Sequence, residues 1–154
     1  MSSLSSVMDS QVLQSYFTYA TIVILKMMLM SPLTVYFRLT RKVFANLEDT
    51  KLGSSAIDKK LVRTDPDVER VRRCHLNDLE NIVPFVVVGL LYALTAPELS
   101  TALLHFRIFA GARIFHTVAY VGALPQPSRA LGFIVGLMVT FSMAYRVLST
   151  VLLL

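Results

Sequence analysis

The chain has 154 residues, 55% of them hydrophobic and only 16% charged, with a mean hydropathy of +0.60. That length makes a single domain, and the apolar share exceeds the roughly 45–50% of soluble chains. The formal net charge is +5, but most Lys and Arg lie between Arg38 and Arg73, in a block without the aromatic interleaving of a base-stacking surface, which argues against nucleic acid as a partner.

The N-terminus, Met1-Ser-Ser-Leu-Ser-Ser, has no basic n-region, so the first apolar segment reads as its own insertion signal. That segment covers about 12–37 and is interrupted by Lys26 and Pro32. A lysine at mid-span needs an acidic partner or a polar crevice. Asp78 and Glu80 are the carboxylates the second segment offers, and the sequence does not choose between them. A long, polar, basic loop follows over about 40–72, and the positive-inside rule places it in the cytosol. The second segment covers about 73–96, the third about 99–121 and the fourth about 129–152. The turn Thr95-Ala-Pro-Glu98 and the stretch Gly122–Ser128 connect them.

Each segment meets the ~20 residues a span requires. The apolar runs are continuous and do not alternate, which predicts helices and not barrel strands. A soluble bundle would show a broad polar face on each helix, and Leu131 to Met143 has almost none. The expectation is an all-α integral membrane four-helix bundle, one four-span domain over 1–154, with both termini lumenal.

Polar residues concentrate at one depth. Arg70, Arg73, Asn77 and Glu80 stand at offsets 0, 3, 7 and 10 and share a helix face. Arg113, His116 and Tyr120 stand at 0, 3 and 7 in the third segment, near its cytosolic end. Arg38 and Arg41 close the first segment at that level, and Arg129 opens the fourth. Snorkelling explains some of these cations but explains His116, Tyr120 and Glu80 poorly, so the layer reads as a site for an anionic ligand. Pro84 is expected to kink the second helix. Met27, Met28 and Met30 read as packing or lipid-facing residues. The lone Cys74 permits no intrachain disulfide and reads as a small buried residue. No Gly-rich phosphate loop, zinc-ligand spacing or nucleophile elbow is present, and His75, His105 and His116 are too isolated to imply a metal.

The chain resembles the microsomal glutathione transferases, the first type above all, within the superfamily of membrane-associated proteins of eicosanoid and glutathione metabolism. The stretches that carry the resemblance are Arg38–Asn46, Arg63-Thr-Asp65, Val68–Asn81, Leu104-His-Phe-Arg107, Gly111-Ala-Arg-Ile114, His116-Thr117, Leu124-Pro-Gln-Pro127 and Arg129-Ala-Leu131. Phe44-Ala-Asn46 and Asp65–Arg70 are shared with the microsomal prostaglandin E synthase. The resemblance implies a homotrimer with glutathione bound between subunits near the cytosolic side. Arg38, Arg73, Asn77, Glu80, Arg113, His116, Tyr120 and Arg129 match positions the family uses around glutathione, and Arg72 and His75 are plausible additions.

Glutathione would then be the substrate, with no metal. Arginine forks suit its two carboxylates, and Glu80 suits its ammonium. A free thiol of pKa ~8.5 is scarcely ionised at neutral pH. Arg129 beside a helix N-terminus, with Ser128 as N-cap, would stabilise the thiolate twice over. Tyr120 would be a hydrogen-bond donor. Apolar electrophiles arriving from the bilayer would be the acceptors, and lipid hydroperoxides could be reduced at the same thiolate. The implied location is the endoplasmic reticulum membrane, or the mitochondrial outer membrane as well. There are two departures. Thr50 falls where mammalian members of the first type carry a reactive cysteine, and Ala130 stands where the prostaglandin synthase has serine. The alternatives are a glutathione-dependent prostaglandin E synthase and a non-catalytic membrane scaffold.

Overall fold

The computed structural model describes residues 10–152. Four long helices account for most of them: α1 (Gln11–Arg41), α2 (Pro66–Leu94), α3 (Leu99–Val121) and α4 (Ser128–Val151). They share one core, centred on Phe85 of α2. Its ring stacks on Phe109 of α3 at a centroid distance of 3.7 Å and an interplanar angle of 4°. Phe106 packs edge-on to Phe85, Tyr16 and Tyr92, an arrangement that suits the quadrupole of each ring. Val23 of α1 and Met143 of α4 complete the layer, with Ile82 of α2.

Helix boundaries follow local chemistry. The side chain of Asp65 accepts from the Asp67 and Val68 amides, and Pro66 occupies the first turn. The helix therefore starts at Pro66, ahead of the expected span at Arg73, and carries its charged first turns beyond the apolar run. Likewise α1 continues through Arg38 to Arg41 and stops at Lys42, whose φ is 50°. At α4 the N-cap residue is Pro127, with no side-chain cap, so Ser128 does not play the capping role expected of it. The 42–65 loop is ordered by two short 3-10 turns, Glu48–Leu52 and Lys59–Leu61, and by the Phe44 amide donating to Leu61 O at 2.9 Å. Thr50 is fully buried there; its hydroxyl donates to Leu47 O (2.7 Å) and accepts from the Asp58 amide (3.1 Å).

The surface is apolar, unlike that of a water-soluble bundle, and a few polar residues are enclosed beside the apolar core. Leu25, Met28, Leu29, Val83, Val87, Leu91, Leu104, Ile134, Met138 and Phe141 are exposed, while Asp78, Asn81, Arg113 and His116 are buried. Hydrocarbon is the medium that suits such a surface. By length and composition α1, α2 and α4 could each cross a membrane. α3 stands outside that group because His105, Arg107, Arg113 and His116 lower its hydropathy, although Arg113 and His116 point into the bundle.

Candidate functional site

The buried polar layer lies where the middle of α1, the first half of α2, the second half of α3 and the start of α4 meet. Its centre is Asp78, fully enclosed. Lys26 Nζ of α1 donates to Asp78 Oδ2 at 2.5 Å, and Arg113 Nη2 of α3 donates to Asp78 Oδ1 at 2.7 Å. The same Nη2 lies 2.9 Å from Asn77 Oδ1 and 3.3 Å from His116 Nδ1. Asn77 is anchored in turn, since its carbonyl accepts from Asn81 Nδ2 at 2.7 Å. Lys26, Asp78 and Arg113 together leave a net charge of +1 inside an apolar bundle. Arg113 Nε and Nη1 and Arg129 Nε are buried without a hydrogen-bond partner. Unfilled donors on enclosed guanidinium groups are costly, and an acceptor brought alongside them would be held strongly.

From Arg113 the row climbs α3 and crosses to α4. The His116 ring lies 5.4 Å from that of Tyr120, and Arg129 stands over the Tyr120 ring at 5.0 Å. The face of Tyr120 thus holds Arg129 by cation–π attraction at the helix N-terminus. Gly132 makes the crossing close: a Cβ there would lie 3.0 Å from His116 Cβ and 3.2 Å from Ala112 O. Cys74 packs with Met30 and Val71 beneath Tyr120 and is fully buried, as its sequence context implied.

The face predicted on α2 divides. Asn77 turns inward to Arg113, and Arg70 pairs with Asp67 at 2.6 Å. Arg73 and Glu80 are exposed. Glu80 borders a groove of about 300 Å³ with Asn81, Pro84 and Leu137. Arg72 is exposed and bonded to Glu69, and with Arg38, Arg63 and Phe44 it lines a separate cavity of about 370 Å³. His75 is half-buried. So Asn77, Arg113, His116, Tyr120 and Arg129 come together within one chain, whereas Arg38, Arg72, Arg73 and Glu80 present themselves outward. Arg113 is wholly enclosed, so its influence on a ligand passes through Asn77 and His116 or through its two unpartnered nitrogens, Nε and Nη1.

A helical chain with membrane-length helices, an apolar exterior and a cationic row ending at a helix N-terminus defines a membrane-embedded helical protein with an enclosed polar layer. The chain belongs to the MAPEG family, whose model matches residues 16–149. It is similar to the microsomal glutathione S-transferase 1 of Homo sapiens and of Mus musculus, each 60% identical over 151 residues and 97% of both chains. It is also similar to the prostaglandin E synthase of Homo sapiens, 37% identical over 144 residues, or 94% of this chain and 93% of that protein.

Proposed function

We propose that the protein is a membrane-bound glutathione transferase that also reduces lipid hydroperoxides with glutathione. The observation that carries this is Arg129 held over Tyr120 at the start of α4, with a free buried N–H. A glutathione sulfur placed beside it meets a guanidinium and unpaired helix-terminal amides, and both favour the thiolate. Each pKa unit of stabilisation is worth ~1.4 kcal/mol. The thiol proton leaves to solvent; the thiolate then forms a C–S bond to an electrophile, whose leaving group departs with the bonding pair. With a hydroperoxide, two glutathione molecules are oxidised to the disulfide while the O–O bond is reduced to alcohol and water. The apolar exterior supports electrophiles that partition from the bilayer.

Arg38, Arg72, Arg73, His75, Asn77, Glu80, Arg113 and His116 form the rest of the glutathione site in this reading. Arginines take the two carboxylates and Glu80 takes the ammonium. Because the outward set faces away from the Arg129 row, the site closes between chains of a homotrimer. All four helices span the membrane, with α3 covered on its polar side by its neighbours and the 42–65 loop cytosolic. The membrane is that of the endoplasmic reticulum, with the mitochondrial outer membrane a second location; the word microsomal in the relatives' names supports the first. The 60% identity to the transferases against 37% to the prostaglandin synthase favours transfer over isomerisation.

The test is ultraviolet difference absorbance of glutathione thiolate on purified protein in detergent. Wild type is expected to give the thiolate signal and Arg129→Ala to abolish it. A folded wild type without signal overturns the transferase mechanism and leaves a scaffold.

A further inference from the structure

A second polar cavity, of about 190 Å³, opens at the opposite end of the bundle, between the last turns of α2 and α4 and the start of α3. Tyr92, Thr95, Glu98, Thr101, Arg146 and Thr150 line it. Its groups sort into donors and acceptors. Arg146 and Glu98 form no ion pair, with each other or elsewhere, among the described residues. Glu98 caps α3 by accepting from the hydroxyls and amides of Ser100 and Thr101, and these bonds, those of the two hydroxyls above all, hold its carboxyl below the usual carboxylate range.

Tyr92 is 1% exposed, and its proton is free. His105 Nδ1 lies 2.8 Å from Thr101 O, a carbonyl that can only accept, so Nδ1 carries the hydrogen. The Tyr92 hydroxyl, 3.4 Å from Nδ1, therefore has no acceptor there. His105 Nε2 is left to accept from Ser142 Oγ at 3.0 Å. The threonines are the reverse: Thr95 gives its hydrogen to Tyr92 O (2.7 Å) and Thr150 to Arg146 O (2.8 Å). They face the cavity with lone pairs alone.

We propose that this cavity is a phospholipid headgroup site selective for phosphoethanolamine, with the phosphate on Arg146 and the Tyr92 hydroxyl and the ammonium on Glu98, Thr95 and Thr150. The ligand must bring an anion for the donors and an N–H cation for the acceptors. Choline is a cation without N–H, glycerol carries no cation, and serine adds a carboxylate against Glu98. The volume falls below the ~300 Å³ at which drug-sized pockets begin, so it holds a headgroup and leaves the chains outside. Leu91, Leu94, Tyr145, Leu148 and Val151, all exposed, supply the surface on which acyl chains lie.

The experiment is native mass spectrometry of delipidated full-length protein, offered equal amounts of phosphatidylethanolamine, phosphatidylcholine and phosphatidylglycerol. Wild type is expected to retain the ethanolamine lipid by about tenfold over choline, the discrimination of one charge-assisted hydrogen bond. Arg146→Gln loses all three lipids. Glu98→Gln keeps the capping oxygen and erases the preference. Both variants retain glutathione thiolate formation, which lies at the other end of the bundle and reports folding. Equal retention of the three lipids by wild type, a measurement that needs no variant, overturns the proposal. So does undiminished ethanolamine lipid on Arg146→Gln. Displacement of the lipid by an equal concentration of soluble glycerophosphoethanolamine would make a free metabolite the ligand and overturn the lipid source.

Discussion

Asp78 is the residue on which three helices depend. It pairs with the fully buried Arg113 and with the partly buried Lys26, so Asp78→Asn leaves both without a counter-charge. The expected loss is about 3–5 kcal/mol, the usual cost of breaking a buried pair, read as a lowered unfolding temperature in detergent. Lys26→Met leaves the Asp78–Arg113 pair intact and neutral and is expected to cost much less. A larger loss for Lys26→Met than for Asp78→Asn would show that Lys26 is the true anchor. Much of this was legible. The row of Arg113, His116 and Tyr120 follows from helical spacing alone. The choice of Asp78 over Glu80 was also within reach: Asp78 shares its stripe with Val71, Cys74, Ile82 and Phe85, all buried, whereas Glu80 sits beside exposed Val83 and Val87. What spacing could not give is that Arg73 and Glu80 of the same helix face stay exposed while Asn77 turns inward, because that depends on how the neighbouring helices pack.

Among elements, the close approach of α3 and α4 sets the geometry of the row. Gly132→Ala would drive its methyl into the His116 backbone and the Ala112 carbonyl, atoms that cannot rotate away. About 1–3 kcal/mol is the expected loss, as for other overpacked interfaces, with a weaker thiolate signal as His116 shifts. Gly111, on the same groove of α3, meets nothing within 4 Å. Gly111→Ala is therefore expected to be neutral or to gain up to about 1 kcal/mol from helix propensity. Parallel thermal melts of the two variants check both. The number and order of helices could be read from apolar runs, but the start of α2 could not be read from them. Membrane thickness suggested Arg73, whereas the Asp65-Pro66 cap, a local signal unrelated to hydropathy, starts the helix earlier.

At the scale of the whole molecule, an apolar exterior around an apolar core with one enclosed polar layer suits a chain that sits in lipid. If glutathione binds between subunits, Arg73 of one chain serves the Arg129 row of another. Arg73→Ala and Arg129→Ala proteins are each expected to be inactive alone. Co-expressed, they are expected to recover part of the activity, because some interfaces then pair two intact halves. Absence of recovery in mixed oligomers shown by mass spectrometry would place the whole site in one chain.

The Lys26–Asp78 pair also has a consequence in time. The two residues are separated by the whole 42–65 loop, and the ribosome completes α1 well before Asp78 exists. An α1 that enters the bilayer ahead of α2 carries Lys26 at its centre without a counter-charge, which costs about 3 kcal/mol on insertion scales. The packing of α2 against α1 supplies the carboxylate and removes that cost. The second span thereby stabilises the first at the depth where it is least suited to lipid.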